Sequence, residues 1–124
     1  MNRKKILLVD DSKVASMTEE MMLRKSGRFD FLVARDGQEA VQKAIAERPD
    51  LILMDVVMPR MGGFEACREL RRHEATEAIP VIMVTTRGEA ENIEAGYQAG
   101  CNDYVSKPID GVELLEKIEK LIGK

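Results

Sequence analysis

Short apolar runs and longer amphipathic segments alternate along the chain. The runs lie at residues 6–9, 31–34, 51–54 and 81–84, and a weaker one lies at residues 104–105. Their apolar residues are continuous rather than alternating with polar ones. This pattern is typical of strands that are covered on both faces in a parallel sheet.

The intervening segments show helical spacing. Val14, Met17 and Met21 recur at i, i+3 and i+7, which predicts the buried face of a first helix. We therefore expect Met17 and Met21 to lie in the core. Asp36 and Glu39 have the spacing of a capping box, which predicts the start of the second helix.

Five strand–helix repeats predict an α/β fold with right-handed crossovers. A (β/α)₈ barrel needs about twice this length. We therefore predict one domain over residues 1–124: a flavodoxin-like, doubly wound, five-stranded parallel sheet with five helices in a three-layer sandwich. Sheets of this kind have the strand order 2-1-3-4-5, and the weak fifth run suits an edge strand.

Composition narrows the class of protein further. The 124 residues include 19 basic and 22 acidic side chains, a net charge of −3 that argues against nucleic-acid or anionic-membrane binding. No apolar run approaches the ~20 residues of a membrane span. Cys67 and Cys101 stand far apart, which argues against a disulfide framework or a zinc site. We expect a cytoplasmic protein.

Polar side chains follow the predicted strands where each one ends. Asp10 and Asp11 follow the first strand, Asp55 ends the third, Thr85 ends the fourth, and Lys107 follows the fifth. Binding sites of open α/β sheets form at the carboxyl ends of their strands. We therefore expect three carboxylates, a hydroxyl and an ammonium group to converge at one edge.

Each of these residues also has an ordinary structural interpretation. Asp11 and Ser12 could begin the first helix, Thr85 could be a β-branched strand residue, and Lys107 could be a solvated surface group. Asp55 is harder to explain in this way, because the segment that follows it begins no helix and is apolar.

Clustered carboxylates repel one another, and a hard cation such as Mg²⁺ relieves that repulsion. Mg²⁺, a nucleophilic carboxylate and a lysine together indicate phosphoryl transfer onto aspartate. Asp55 is the candidate nucleophile, with Lys107 and Thr85 contacting the phosphoryl oxygens.

These residues resemble the response-regulator receiver domain of two-component signalling, and single-domain chemotaxis-type regulators in particular. The resemblance spans the whole chain and rests on segments at residues 8–12, 34–40, 53–59, 84–85, 96–101 and 103–108.

The resemblance implies that Asp55 is phosphorylated by a histidine kinase or a histidine phosphotransfer protein. Asp11, Asp55 and the backbone carbonyl of Val57 would bind Mg²⁺ directly, with Mn²⁺ as a substitute, and Asp10 would act mainly through a water. Thr85 and Lys107 would contact the phosphoryl group.

The resemblance also implies an aromatic switch at Tyr104, which would turn inward as Thr85 moves toward the phosphate. Taken alone, Tyr104 is better explained as an edge-strand aromatic that half covers the core; the presence of both Thr85 and Lys107 favours the switch. The output surface would be the fourth helix, fifth strand and fifth helix, acting on a downstream protein or a fused output domain. The chain would be a monomer or a weak phosphorylation-linked dimer, and the Lys107–Pro108 peptide would be cis.

At two positions this sequence differs from members of the family that lose their phosphoryl group quickly, which tend to carry an amide or an acid there. Val57 lies two residues after Asp55, and Arg87 two residues after Thr85. Neither places an amide or acid there to orient a water, so we expect a long-lived phosphorylated state. Gly62 stands where a helix begins and offers a weak cap.

Two other classes of function remain as alternatives. One is a Mg²⁺-dependent phosphohydrolase with an aspartate nucleophile; such enzymes place a second Asp two residues later, where this chain has Val57. The other is a phosphorylation-independent interaction module, although such receivers lose an acidic residue or the lysine. We expect a switch that acts on itself rather than a turnover enzyme.

Overall fold

The computed structural model describes residues 3–86 and 90–123, in which strands and helices alternate. The strands are β1 (Lys4–Val9), β2 (Phe29–Ala34), β3 (Leu51–Asp55), β4 (Val81–Thr86) and β5 (Asp103–Lys107). The helices are α1 (Lys13–Arg24), α2 (Gly37–Glu47), α3 (Gly63–Arg72), α4 (Ala90–Ala99) and α5 (Gly111–Ile122). All five predicted strand–helix repeats are present.

The five strands form one parallel sheet in the order β2-β1-β3-β4-β5, as predicted. β1 and β3 are neighbours, and Val9 pairs with Met54. The next residue on each strand, Asp10 and Asp55, therefore leaves the sheet at the same level. β5 is an edge strand and pairs with β4 alone.

Two apolar clusters fill the spaces on either face of the sheet. One contains residues of α2 and α3, such as Ala40 and Leu70. The other contains Leu23 of α1 and Leu114 and Ile118 of α5. The sheet therefore lies between two helical layers, which confirms the predicted three-layer sandwich.

Helix α1 corrects one prediction. Its buried residues are Ser16, Glu19 and Leu23, whereas Met17 and Met21 are 53% and 66% exposed. The apolar stripe runs two residues behind the buried face, which is about 200° around a helix with 3.6 residues per turn. The opposite face of α1 packs against the sheet instead. Leu23 lies in the apolar core, and Arg35, which follows β2, donates a hydrogen bond to Oγ of Ser16. Met17 and Met21 are therefore surface residues.

Local sequence signals account for where several helices begin. Asp36 caps α2 and accepts a hydrogen bond from the backbone N–H of Glu39, as predicted. The side chain of Glu39 accepts from the N–H of Arg35, one residue before the cap, and not from the N–H of Asp36 as a capping box requires. Gly62 precedes α3 without a side-chain cap. Among the described helices, none combines the length and the apolar character that a bilayer span requires.

Candidate functional site

Three carboxyl groups meet at the carboxyl edge of the sheet. Asp10, Asp11 and Asp55 each bring a carboxylate oxygen to a point where all three oxygens lie within 4.8 Å of one another. Asp10 and Asp55 are buried, and Asp11 is exposed to solvent. The predicted convergence of these side chains is therefore found, because β1 and β3 end side by side.

Asp10 uses its two carboxylate oxygens differently. Oδ1 accepts a hydrogen bond of 2.8 Å from the N–H of Ser12 and so fixes the turn that leads into α1. Oδ2 is buried without a hydrogen-bond partner among the described residues. The helix itself is capped by Ser12, whose hydroxyl accepts from the N–H of Ala15. Asp11 is therefore not needed as the cap.

Lys107 brings a positive charge to the same cluster. Its Nζ lies 3.6 Å from Oδ2 of Asp55 and 3.6 Å from Oδ2 of Asp10. Burial and the charge of Asp10 raise the pKa of Asp55, and Lys107 opposes that shift in part. Burial also acts to lower the pKa of Lys107, but the two carboxylates outweigh it and the net shift is upward. One lysine thus faces two buried carboxyl groups.

Thr85 completes this edge with a hydroxyl group. It follows Val84, which pairs with Asp55 across the β3–β4 ladder. Its Oγ1 is buried and has no hydrogen-bond partner among the described residues. A buried hydroxyl without a partner is costly, so a ligand oxygen that accepted its hydrogen bond would relieve that cost.

The loop after β3 surrounds Asp55 with an exposed apolar side chain and a fixed turn. Val57 is 77% exposed. Arg60 adopts a left-handed conformation with φ of 64°, and its guanidinium Nε lies 2.8 Å from Oδ2 of Asp36. Gly37 donates its N–H to the carbonyl of Met61. The loop is therefore tied to the start of α2.

Tyr104 of β5 lies between the two helices that flank it. Its ring is half-buried and packs edge-on against Tyr97 of α4, with ring centroids 6.4 Å apart. Nζ of Lys117 on α5 lies 4.7 Å from the centroid of the same ring. The peptide bond between Lys107 and Pro108 at the end of this strand is cis, as the resemblance implies.

Glu19 is a residue near the site that the sequence pattern missed. It is 3% exposed, and its Oε1 has no hydrogen-bond partner among the described residues. Burial, followed by the charge of Asp10, raises the pKa of Glu19 to about 8. It lines a cavity of about 260 Å³ together with Lys107 and Pro108. Sequence reasoning missed Glu19 because the apolar spacing on α1 predicted that Met17 and Met21 are on the buried face.

Arg87 was predicted to influence phosphate loss, and it lies outside the described residues. The structure describes the other predicted site residues and brings several of them together. Asp10, Asp11, Asp55 and Lys107 are brought together, and Thr85 stands on the strand beside Asp55.

This fold and this acidic edge define a phospho-accepting signalling domain, and comparison with known proteins agrees. Residues 6–119 match the family described as response regulator receiver domain. The chain belongs to this family. It is a receiver domain of two-component signalling and a phospho-acceptor switch, and receiver domains are signalling modules rather than typical turnover enzymes.

Curated relatives include proteins of two lengths. Protein PilH of Pseudomonas aeruginosa is 41% identical over 119 residues, which cover 96% of this chain and 98% of PilH. The alkaline phosphatase synthesis transcriptional regulatory protein PhoP of Bacillus subtilis is 35% identical; the match covers 98% of this chain and 49% of PhoP. The chain thus spans nearly all of one relative and about half of the other.

Solved structures show the same fold. The receiver domain of the sensor histidine kinase PA1611 from Pseudomonas aeruginosa is 36% identical with a TM-score of 0.90, and the match covers 99% of this chain and 100% of that one. That structure has a magnesium ion coordinated in its active-site cleft. Chemotaxis protein CheY4 of Vibrio cholerae is 32% identical with a TM-score of 0.89, covering 97% of this chain and 99% of that one. Neither comparison supports a phosphohydrolase.

The residues present fit a divalent ion. Carboxylate oxygens are the ligands that Mg²⁺ prefers, and the three carboxyl groups already lie within reach of one another. The buried Oδ2 of Asp10 accepts no hydrogen bond among the described residues and has Lys107 only at ion-pair distance, so a cation or a water bound to it would stabilise the buried charge. The donor set therefore suits magnesium better than zinc or copper.

Proposed function

We propose that Asp55 is the phospho-acceptor of this receiver domain and that residues 1–124 make up that single domain. The supporting observation is the meeting of Asp55 with two further carboxyl groups, while Lys107 lies 3.6 Å away. The donor would be a phosphohistidine on a histidine kinase or a histidine phosphotransfer protein.

The phosphoryl group would pass directly between the two proteins. A carboxylate oxygen of Asp55 forms a bond to phosphorus as the phosphorus–nitrogen bond of the donor breaks. The electron pair of that bond stays on the imidazole, which takes up a proton from solvent. Slow loss of the phosphoryl group to water would return the switch to its starting state.

Asp10, Asp11, Asp55 and the backbone carbonyl of Val57 are the groups that would hold Mg²⁺, with Mn²⁺ as a substitute. When bound, the ion supplies positive charge against the phosphoryl oxygens. Lys107 is placed to pair with a phosphoryl oxygen after it gives up its contact with Asp55. The hydroxyl of Thr85 is free to donate a hydrogen bond to another phosphoryl oxygen.

Phosphorylation would be transmitted through Tyr104 to the surface of α4, β5 and α5. This ring contacts Tyr97 of α4 and Lys117 of α5. A movement of Thr85 toward the phosphate would open space for Tyr104, and the contacts with both helices would change together. A downstream protein, or an output domain in a longer chain, would bind this surface. We propose a cytoplasmic protein that is a monomer or a weak phosphorylation-linked dimer.

Intact mass spectrometry tests the assignment. The chain is incubated with acetyl phosphate and Mg²⁺, and we expect one added phosphoryl group on the wild-type chain and none on Asp55→Asn. Asp30→Asn is the matched control, because Asp30 of β2 is exposed and pairs with Arg3. Removal of the divalent ion with EDTA should prevent the reaction.

Two results would contradict this proposal. A phosphoryl group that still appears on Asp55→Asn would place the acceptor at another residue. A wild-type chain that takes no phosphoryl group from acetyl phosphate or a phosphohistidine donor would instead favour a phosphorylation-independent interaction module.

A further inference from the structure

Arg35 binds the backbone of the loop that carries the acidic residues. It follows the last residue of β2, and its Nη1 donates hydrogen bonds to the carbonyl oxygens of Asp10 at 3.2 Å and Ser12 at 3.4 Å. The same nitrogen donates to Oγ of Ser16 at 2.9 Å. One guanidinium group therefore joins the loop to the first turn of α1.

The position of these contacts matters because they bracket Asp11. The loop between β1 and α1 consists of residues 10–12, and Arg35 binds the carbonyls on both sides of the exposed aspartate. Asp10 is also held through its own Oδ1, which accepts from Ser12. The side chain of Asp11 thus projects from a backbone that is fixed before and after it.

Arg35 is itself held from the other side. Its backbone N–H donates to Oε1 of Glu39 at 2.6 Å, and this hydrogen bond is the main cause of a lowered pKa at Glu39. The N–H of Asp10 donates to the carbonyl of Ala34. The end of β2, the start of α2 and the acidic loop are therefore joined through consecutive residues.

We propose that Arg35 is a positioning residue, which orients the Asp10–Asp11 loop for a divalent ion without touching the ion. The inference rests on the proposed function, because it assumes that these carboxyl groups hold Mg²⁺. Groups that orient metal ligands from outside the coordination sphere typically contribute about 10- to 100-fold to metal affinity. We expect about 10-fold for Arg35.

Charge and position predict opposite results, so the two effects can be separated. A guanidinium group near the acidic cluster repels a divalent cation. If charge were its whole effect, Arg35→Met would bind Mg²⁺ more tightly and Arg35→Lys would be unchanged. If Arg35 orients the loop, Arg35→Met binds Mg²⁺ more weakly, because methionine donates no hydrogen bond. Arg35→Lys, whose ammonium group has three N–H donors, retains part of the contact.

Isothermal titration with magnesium chloride measures this effect directly. We expect Arg35→Met to weaken Mg²⁺ binding about 10-fold relative to the wild-type chain, and Arg35→Lys to weaken it less. Arg68→Met is the matched control; Arg68 is exposed on α3 and should leave binding unchanged. Binding that is unchanged or tighter in Arg35→Met would overturn the inference.

Amide hydrogen exchange in the metal-free chain gives a second, independent measurement. The N–H of Ser12 is bonded to Asp10 within the loop, and it should exchange faster in Arg35→Met than in Arg68→Met. Unchanged exchange would overturn the positioning role. This measurement needs no metal, so it tests whether Arg35 orders the loop even if the wild-type chain fails to bind Mg²⁺. Such a failure would count against the proposed function.

Ser16→Ala keeps the inference testable if the Arg35 variants do not fold. It removes the side-chain acceptor of Arg35 and leaves every charge in place. Weaker Mg²⁺ binding together with faster exchange at Ser12 would support the inference, and wild-type values for both would overturn it.

Discussion

Glu19 and Lys107 line the same cavity between α1 and the end of β5. The charge of Lys107 favours an ionised Glu19, but burial and the charge of Asp10 outweigh it. The pKa of Glu19 is consequently raised from its ordinary value of 4.5 to about 8. This buried acid beside Lys107 therefore keeps its proton where most carboxyl groups have lost theirs.

This raised pKa predicts how stability depends on pH. Between the two pKa values the folded chain holds a proton that the unfolded chain releases, so the free energy of unfolding falls as the pH rises through this window. Glu19→Gln carries no charge at any pH. Its stability relative to wild type should increase by on the order of 3 kcal/mol between about pH 5 and about pH 8. Urea denaturation without divalent ions measures the difference.

Glu20→Gln is the control for this experiment. Glu20 is the next residue of α1 and pairs with Arg24 on the helix surface. Its stability should follow that of the wild-type chain over the same pH range. Parallel curves for Glu19→Gln and wild type would show that Glu19 is ionised in the folded chain.

Asp36 should contribute to stability through two interactions at once. It caps α2 and also pairs with Arg60 of the loop after β3. Loss of an N-cap costs about 1–2 kcal/mol, so Asp36→Ala should lower the free energy of unfolding by about that amount or more. Asp36→Asn retains the cap and should lose less. Urea denaturation of both variants measures the two contributions.

The same residue predicts sensitivity to acid. The backbone N–H of Glu39, followed by Arg60, lowers the pKa of Asp36. The folded chain therefore favours the ionised form, and the stability that this confers is lost as the pH falls through the lowered pKa. Asp36→Asn should lose less stability than wild type on acidification, and an equal loss would contradict this account.

The exposure of Met17 and Met21 on α1 predicts that they contribute little to stability, although their spacing is typical of a buried face. Met17→Gln and Met21→Gln should each change the free energy of unfolding by less than about 0.5 kcal/mol, because both side chains are on the surface. Leu23→Ala should cost about 2–5 kcal/mol, because Leu23 is buried in the core under the sheet. Thermal and urea denaturation compare the three variants. A large fall in the free energy of unfolding of either methionine variant would show that the methionine side chains are buried after all.

Val57 should prolong the phosphorylated state. It lies two residues after Asp55 and is largely exposed, and an apolar side chain cannot orient an attacking water. Val57→Asn introduces an amide that can do so, and we expect several-fold faster phosphate loss. Intact mass followed over time after removal of acetyl phosphate measures the rate.

Two further variants sharpen that test. Val57→Ala shortens the side chain without adding a polar group and should remain slow. Arg87→Glu places an acid two residues after Thr85 and should also accelerate the loss of the phosphoryl group. If neither Val57→Asn nor Arg87→Glu is faster than wild type, the side chains at these positions do not control phosphate loss.

The sheet and the central site could be predicted because both follow from short-range signals. Continuous apolar runs identify buried parallel strands, and residues that follow such strands reach a common edge. The proximity of Asp10 and Asp55 could therefore be predicted from the strand order alone. The capping interaction of Asp36 with Glu39 is local in the same sense.

The remaining features depend on contacts between distant elements. The spacing of Met17 and Met21 gives a helix but does not say which face meets the sheet, and here the less apolar face is buried. The roles of Glu19 and Arg35 depend on which side chains of α1 and β2 approach the acidic loop. That is decided by packing, which a pattern along one segment does not record.

The strand order also has a consequence for how the chain acquires its activity. Asp10 near one end of the chain and Lys107 near the other must both reach Asp55, and β1 and β5 are separated in the sheet by β3 and β4. Contacts so far apart in sequence cost more loop-closure entropy than local ones. If Asp55 is the phospho-acceptor, as proposed, a chain in which β5 has not docked lacks the contact of Lys107 with Asp55 and should accept a phosphoryl group poorly. Phosphorylation would then require both ends of the chain to have folded onto the sheet.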